Sequence, residues 1–196
     1  TLNPWVSKDN MSSTLSALMF DSLFSTDPYT GDIIPKMAKA YKISEDNLEY
    51  TVHLLEGMYW SDGKPITAYD VEFTMNEIIK PGLGNASSRD NLLIEGKFPQ
   101  TKAIDKYTLK FITHKPFAPF LRSIGGIAIA PKHILKEVVK KGDEAFESFW
   151  IPSTDPKEFV TSGMFKFHRY HPGQRVEFDR YNNYYMVDKA GNQLPY

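Results

Sequence analysis

Apolar and polar residues alternate most regularly around Tyr50, Val52 and Leu54, which interleave with Thr51, His53 and Leu55. That period of two predicts a half-buried strand, entered from the turn pair Asp46-Asn47. After Trp60 the period changes. Asp62-Gly63 is a residue pair that tolerates positive φ, and Pro65 holds Lys64 extended, so the chain reverses sharply there. Thr67 and Asp70 then form a capping box with Asp in place of Glu, putting negative charge in the first turn of a helix that begins at Ala68. Val71, Met75, Ile78 and Ile79 fall on one face of that helix, and Pro81-Gly82 stops it.

The same reading extends down the chain. Ala103-Ile104 and Thr108 to Thr113 form a second strand pair turned at Asp105-Lys106, with Leu109 and Phe111 on one face. A short helix follows from Lys115-Pro116-Phe117. Pro131 opens another, carried by Ile134 to Val139 and stopped at Lys140-Lys141-Gly142. Phe165, Phe167, Val176 and Phe178 belong to two late strands turned around Pro172-Gly173. Strands and helices are mixed throughout, so the class is α/β or α+β.

The order turn, strand, Trp60-Ser61-Asp62-Gly63 turn and capped helix resembles the central signature of the extracytoplasmic solute-binding proteins of family 5, the oligopeptide, dipeptide and nickel-binding components of ABC importers. Leu2-Asn3-Pro4, Leu18 to Phe24 and Thr30 to Ala38 resemble the family's opening in order and spacing. Ile129 to Leu135 resembles its Pro-Lys-His helix start, Thr161 to Lys166 its Thr-x-Gly-Pro-Phe-Lys strand, and Asp188 with Gly191 to Tyr196 a segment of its peptide-binding branch. Met164 departs from the usual proline, and Tyr181-Asn182 from the usual Asn-Pro. A missing proline loosens a turn without removing the strand pattern.

The resemblance implies the periplasmic-binding-protein-like type II fold, here its N-terminal part only: a small mixed α+β domain plus part of the large lobe. Residues 1–30 and 155–196 are expected in a discontinuous large lobe and 31–154 in a smaller inserted domain. Family members are more than twice as long, so a C-terminal lobe is expected beyond this chain. Pro152, Asp155 and Pro156 make a poor element interior and suit the later boundary.

Charge is nearly balanced, with formal net charge −1, so no electrostatic case for nucleic acid exists. A chain of 196 residues can bury about 70% of its extended surface. It has no apolar run long enough to span a bilayer. Zero cysteines fit an exported protein that avoids stray disulfides, but many cytosolic proteins are also cysteine-free. The resemblance places the protein in the periplasm or lipid-anchored at the outer face of the cell membrane, its leader not present in this chain.

No enzyme is expected. The chain carries no Gly-x-Ser-x-Gly elbow, P-loop or Gly-x-Gly-x-x-Gly. His168 and His171 lack a carboxylate or thiol cluster and, three apart on a strand, face opposite sides, so metal ligation is not expected. His53 and His114 read as surface histidines, and His133 as part of a helix start. Asp62 and Asp70 could be drawn as an acid and base pair, but turn and first-turn chemistry each account for them. Aromatic residues make 14% of the chain. They suit a cleft for extended peptides or sugars, although most fit core positions, Trp60 above all.

The resemblance and loop position together supply the ligand-facing candidates. Asn10, Met11 and Ser12 follow the Leu2-Asn3-Pro4 segment, with a helix N-cap at Ser12 or Ser13 as their ordinary role. Arg89 and Asn91 follow the polar loop Asn85 to Ser88. Main-chain groups of Ser162 and Gly163 complete the set. The implied function is a solute-binding receptor of an ABC transporter that captures oligopeptides, needs no cofactor or metal, and has membrane permease subunits as partners. The alternatives are an oligosaccharide receptor of the same family and a fragment of a carbohydrate-active enzyme.

Overall fold

The computed structural model describes residues 1–195. Its centre is a four-stranded antiparallel sheet made of β3 (Ala38–Ile43), β4 (Glu49–Leu54), β5 (Gln100–Ala103) and β6 (Thr108–Ile112), in spatial order β3-β4-β6-β5. The predicted alternation of β4 is real: Tyr50, Val52 and Leu54 are buried while His53 is exposed. Leu109 and Phe111 of β6 join that inner face. Antiparallel sheets commonly bury one face only, which is what period-two patterning encodes. The edge strand β3 has no such alternation, because only Ala38 of its six residues is buried, and it carried no sequence signal.

Helix α2 (Ala68–Phe73) packs across the sheet end, with Glu72 Oε1 accepting from the Ala103 N–H at 3.1 Å. Its start is as predicted. Asp70 Oδ2 accepts from the Thr67 N–H at 2.8 Å and from the Thr67 hydroxyl at 3.1 Å, while Oδ1 accepts from the Lys132 N–H at 3.1 Å. Burial pushes the Asp70 carboxyl above the usual range, and these donors oppose that shift. Thr67→Ala should cost about 1 kcal/mol through the weakened cap. Asp70→Ala should cost about 2–3 kcal/mol, because two backbone donors lose their acceptor. Urea unfolding measures both; equal costs would mean that the cap does not depend on the carboxylate.

The rest of that helix corrects the expectation of a plain α-helix. From Thr74 to Ile79 it widens into a π-helix. Thr74 is fully buried, and its hydroxyl donates to the Asp70 carbonyl at 2.7 Å while accepting the Ala130 N–H at 2.9 Å. A side chain inserted beside the backbone ladder is a recognised cause of such widening. Met75, Ile78 and Ile79 all remain buried.

The helix α1 (Asn10–Met19) is capped by Asp9, not by Ser12 or Ser13. Asp9 Oδ1 accepts from the Ser12 N–H at 2.8 Å, which also holds its carboxyl below the usual range. Residues 85–88 are not simply a loop, since α3 (Ser87–Asp90) forms one turn there. The helix expected from Lys115 starts later, as α4 (Phe120–Gly125), with Phe117 to Pro119 as its lead-in turn. Helix α5 (Lys132–Lys140) runs as predicted, and Gly142 separates it from α6 (Asp143–Glu147). A ribbon of β1 (Phe24–Thr26) and β2 (Ile33–Pro35), and a hairpin of β7 (Phe165–His171) and β8 (Arg175–Arg180), complete the fold.

One aromatic line ties the ends of the chain to its middle. Trp5 meets Phe20 at 5.5 Å, Phe20 meets Trp150 at 5.5 Å, and Trp150 stacks on Phe159 at 5.5 Å. Phe159 then meets Phe167 of β7 at 4.9 Å. Beside it, the N–H groups of Ser162 and Gly163 both donate to the Met19 carbonyl, at 3.0 and 2.7 Å. A Cβ on Gly163 would lie 2.6 Å from the Leu18 carbonyl oxygen, so only glycine admits this contact.

Candidate functional site

Two segments chosen from the sequence as ligand-facing, the start of α1 and the region around α3, meet in space. Gly84, at φ +68°, lies so close to the N-terminal segment that a Cβ there would stand 2.8 Å from Val6 Cγ2. Next to it Asn85 Nδ2 donates to the Ser7 carbonyl at 2.7 Å. These contacts hold α3 beside α1 and leave a concavity of about 520 Å³ between them. Ser13, Ser16 and Ala17 of α1 line one side. Asn85, Ser88 and Asn91 line another, and Ser123 of α4 with Gly126 to Ala128 just after it a third. Trp5 and Phe20 supply apolar wall; the Trp5 indole N–H is already bound to the Ala128 carbonyl at 2.9 Å.

Of the individual candidates, Asn91 lines this concavity. Asn10, Met11 and Ser12 form the first turn of α1 immediately before its lining residues, with Met11 well exposed and Ser12 buried. Arg89 turns away, bonding to the Asp90 carboxylate at 2.9 Å and the Pro81 carbonyl at 3.3 Å. Ser162 and Gly163 also lie elsewhere. With both N–H groups committed to Met19, and the Ser162 hydroxyl accepting from the Asp21 N–H at 2.9 Å, this pair joins the chain to itself and offers a solute no N–H.

Sequence reasoning missed Asp21 and Lys36. Asp21 is 1% exposed, and its Oδ1 lies 2.6 Å from Lys36 Nζ. Its Oδ2 accepts from the hydroxyls of Tyr184 and Tyr185, at 2.8 and 2.7 Å. Burial, reinforced by the Asp21 charge, pushes both phenols above their usual value, so they remain donors. Lys36 also lines the concavity. A lone Asp inside the apolar run Leu18 to Phe24 was the available signal, because a charge buried in such a run needs partners.

The acid and base pair drawn from the sequence does not assemble. Asp62 Oδ1 accepts from the Lys64 N–H at 3.1 Å in the turn, and Oδ2 lies 2.7 Å from His133 Nε2. Asp70 is consumed by its cap. His168 sits at a bulge and pairs with Asp179 at 2.9 Å, whereas His171 pairs with Glu177 at 3.2 Å. Among the described residues no group of three or more His, Cys, Asp or Glu could hold a metal ion. A second concavity, of about 790 Å³, lies between residues 152–160 and β7; Asp62 and Asp179 are on its rim, each already paired.

The described residues thus form a mixed α/β unit with a polar concavity between α1 and α3. Residues 32–196 match the family model described as bacterial extracellular solute-binding proteins, family 5 Middle, and the chain belongs to that family. Its fold is that of the type II periplasmic binding proteins: the ABC transporter substrate-binding protein CtaP of Listeria monocytogenes superposes with a TM-score of 0.77 at 32% identity, over 97% of this chain and 36% of that one. The periplasmic alpha-galactoside-binding protein of Rhizobium meliloti is 30% identical over 89% of this chain and 26% of its own length. The periplasmic oligopeptide-binding protein OppA of Salmonella typhimurium is 27% identical over 94% of this chain and 34% of its own. The chain thus spans roughly a quarter to a third of the curated relatives it matches. No helix among the described residues is long and apolar enough to cross a membrane.

Proposed function

We propose that these residues belong to a noncatalytic receptor that captures an oligopeptide outside the cytoplasm and delivers it to the permease subunits of an ABC importer. The observation that carries this reading is the concavity between α1 and α3, in a chain of a solute-binding family, with serine and asparagine residues along its lining. Such groups match the backbone N–H and C=O of an extended peptide, which every peptide offers whatever its sequence. OppA, named for oligopeptides, matches nearly the whole chain.

Within the proposal, residues 1–30 and 155–196 form part of a large lobe and 31–154 a smaller domain. The bonds from Met19 to Ser162 and Gly163, and from Asp21 to Tyr184 and Tyr185, support the first grouping. A further lobe closes over the solute by hinge motion, stabilised by contacts to both sides. Asn91 and the α1 serines supply this side of the cleft, with Asn10, Met11 and Ser12 at its edge. The receptor works in the periplasm or tethered at the outer face of the membrane. An oligosaccharide receptor is the second reading, favoured by the relative named for alpha-galactosides.

Calorimetry on the complete natural protein separates the readings: saturable binding of mixed di- to pentapeptides supports the first, and binding of neutral galactosides instead supports the second. The 1–196 chain alone should bind poorly. Micromolar affinity corresponds to about −8 kcal/mol, and forfeiting half of that contact energy leaves binding weaker than about 1 mM. Tight binding by the chain alone would overturn the two-sided cleft.

A further inference from the structure

The concavity between α1 and α3 has one ionisable side chain among its described lining residues, and it is Lys36; no carboxylate shares the wall. The Lys36 side chain is 22% exposed, and its ammonium is tethered 2.6 Å from Asp21, which lies behind the wall at 1% exposure. An ammonium has three donors. Asp21 Oδ1 takes one, and Asp21 is further saturated at Oδ2 by two tyrosine hydroxyls. The carboxylate therefore anchors the ammonium in place and leaves it with donors to spend.

The same concavity is lined by polar groups without protein partners. The Ser16 hydroxyl is buried and unpaired in a residue only 3% exposed. Among the described residues, the side chains of Ser88, Asn91 and Ser123, all on the same wall, likewise make no hydrogen bond. A positive point charge held by a buried carboxylate, in a concavity that also offers neutral hydrogen-bonding groups, suits a carboxylate ligand. Fixing the long lysine side chain beforehand also reduces the ordering cost of binding.

We infer that Lys36 is a specificity-determining residue that receives a carboxylate of the solute, the C-terminus of a bound peptide. This rests on the peptide reading above. It makes discrimination between a peptide acid and its amide a property of the Lys36 wall, with Asp21 as the positioning residue behind it.

The test uses the complete natural protein, its Lys36→Gln and Lys36→Arg variants, and matched pools of di- to pentapeptides as free acids and as C-terminal amides. The natural protein should bind the acids about tenfold or more tightly than the amides, and Lys36→Gln should bring the two within about twofold, while Lys36→Arg keeps most of the preference. Thermal unfolding checks that each variant is folded. A variant-free measurement accompanies it: saturating free-acid peptide should protect Lys36 from acetylation by an amine-reactive ester, read by mass spectrometry, and amides at the same concentration should not. A folded Lys36→Gln that keeps the preference for acids, or acetylation of Lys36 unchanged by bound acid, would overturn the inference while leaving the peptide reading standing. Should Lys36→Gln not fold, protection decides alone. Failure of every peptide to bind would remove the peptide reading and this inference with it.

Discussion

Asp21→Ala will destabilise the chain by about 3–5 kcal/mol, the cost of removing one partner from a buried ion pair. Lys36 is partly exposed and can turn toward water, which lowers its share. The tyrosines cannot follow as easily. Tyr184 is 2% exposed, and its hydroxyl has only Asp21 and the weak thioether acceptor of Met186 at 3.2 Å, so losing the carboxylate strands a buried donor. Asp21→Asn keeps an oxygen for the hydroxyls but loses the charge opposite Lys36, so about half the cost is expected. Denaturant unfolding of both variants measures this. Equal stability of natural chain and Asp21→Ala would show that residues 184 and 185 are held to the segment after α1 by packing alone.

How legible such a centre is depends on sequence distance. The turn and cap from Trp60 to Asp70 could be read directly, because the bonds that shape them, Trp60 to Lys64, Asp62 to Lys64 and Thr67 to Asp70, join residues within a few positions of each other and residue type fixes their geometry. Strand β4 was legible for the same reason: its alternation is a local record of which face meets the core. Asp21 meets partners 163 and 164 residues away, and nothing local to Tyr184 or Tyr185 names that partner. The edge strand β3 faces solvent along most of its length and leaves no period. The π-helix begins at a threonine whose hydroxyl serves both Asp70 and Ala130, and the second of these lies far along the chain.

The candidate site divides along the same line. Asn91 and the first turn of α1 were chosen through family resemblance and loop position; the fold sets α3 beside that helix, and of these residues Asn91 lines the concavity. The serines that line the concavity carry no signal of their own, since serine is ordinary on any helix surface. Ser162 and Gly163 lie outside that concavity. Their glycine looked suited to close approach and it is, but what approaches is the end of α1.

Trp60→Ala should be the other severe substitution, again at about 3–5 kcal/mol. The indole is fully buried. Its backbone is bound on both sides of the turn, with the Trp60 N–H donating to the Lys64 carbonyl at 2.8 Å and the Trp60 carbonyl accepting from the Tyr181 hydroxyl at 2.9 Å. Ser61 next to it is sewn to Thr161 by bonds of 2.9 and 3.0 Å. The turn therefore cannot collapse into the space an alanine would leave, and a cavity that cannot collapse carries the larger penalty. Trp60→Phe separates packing from hydrogen bonding. The indole N–H has no partner, so phenylalanine loses no bond, gives up an unsatisfied donor and keeps most of the volume, for a cost under about 1.5 kcal/mol. A Trp60→Phe cost as large as that of Trp60→Ala would mean the N–H has an acceptor after all and that Trp60 does more than fill the core behind the turn.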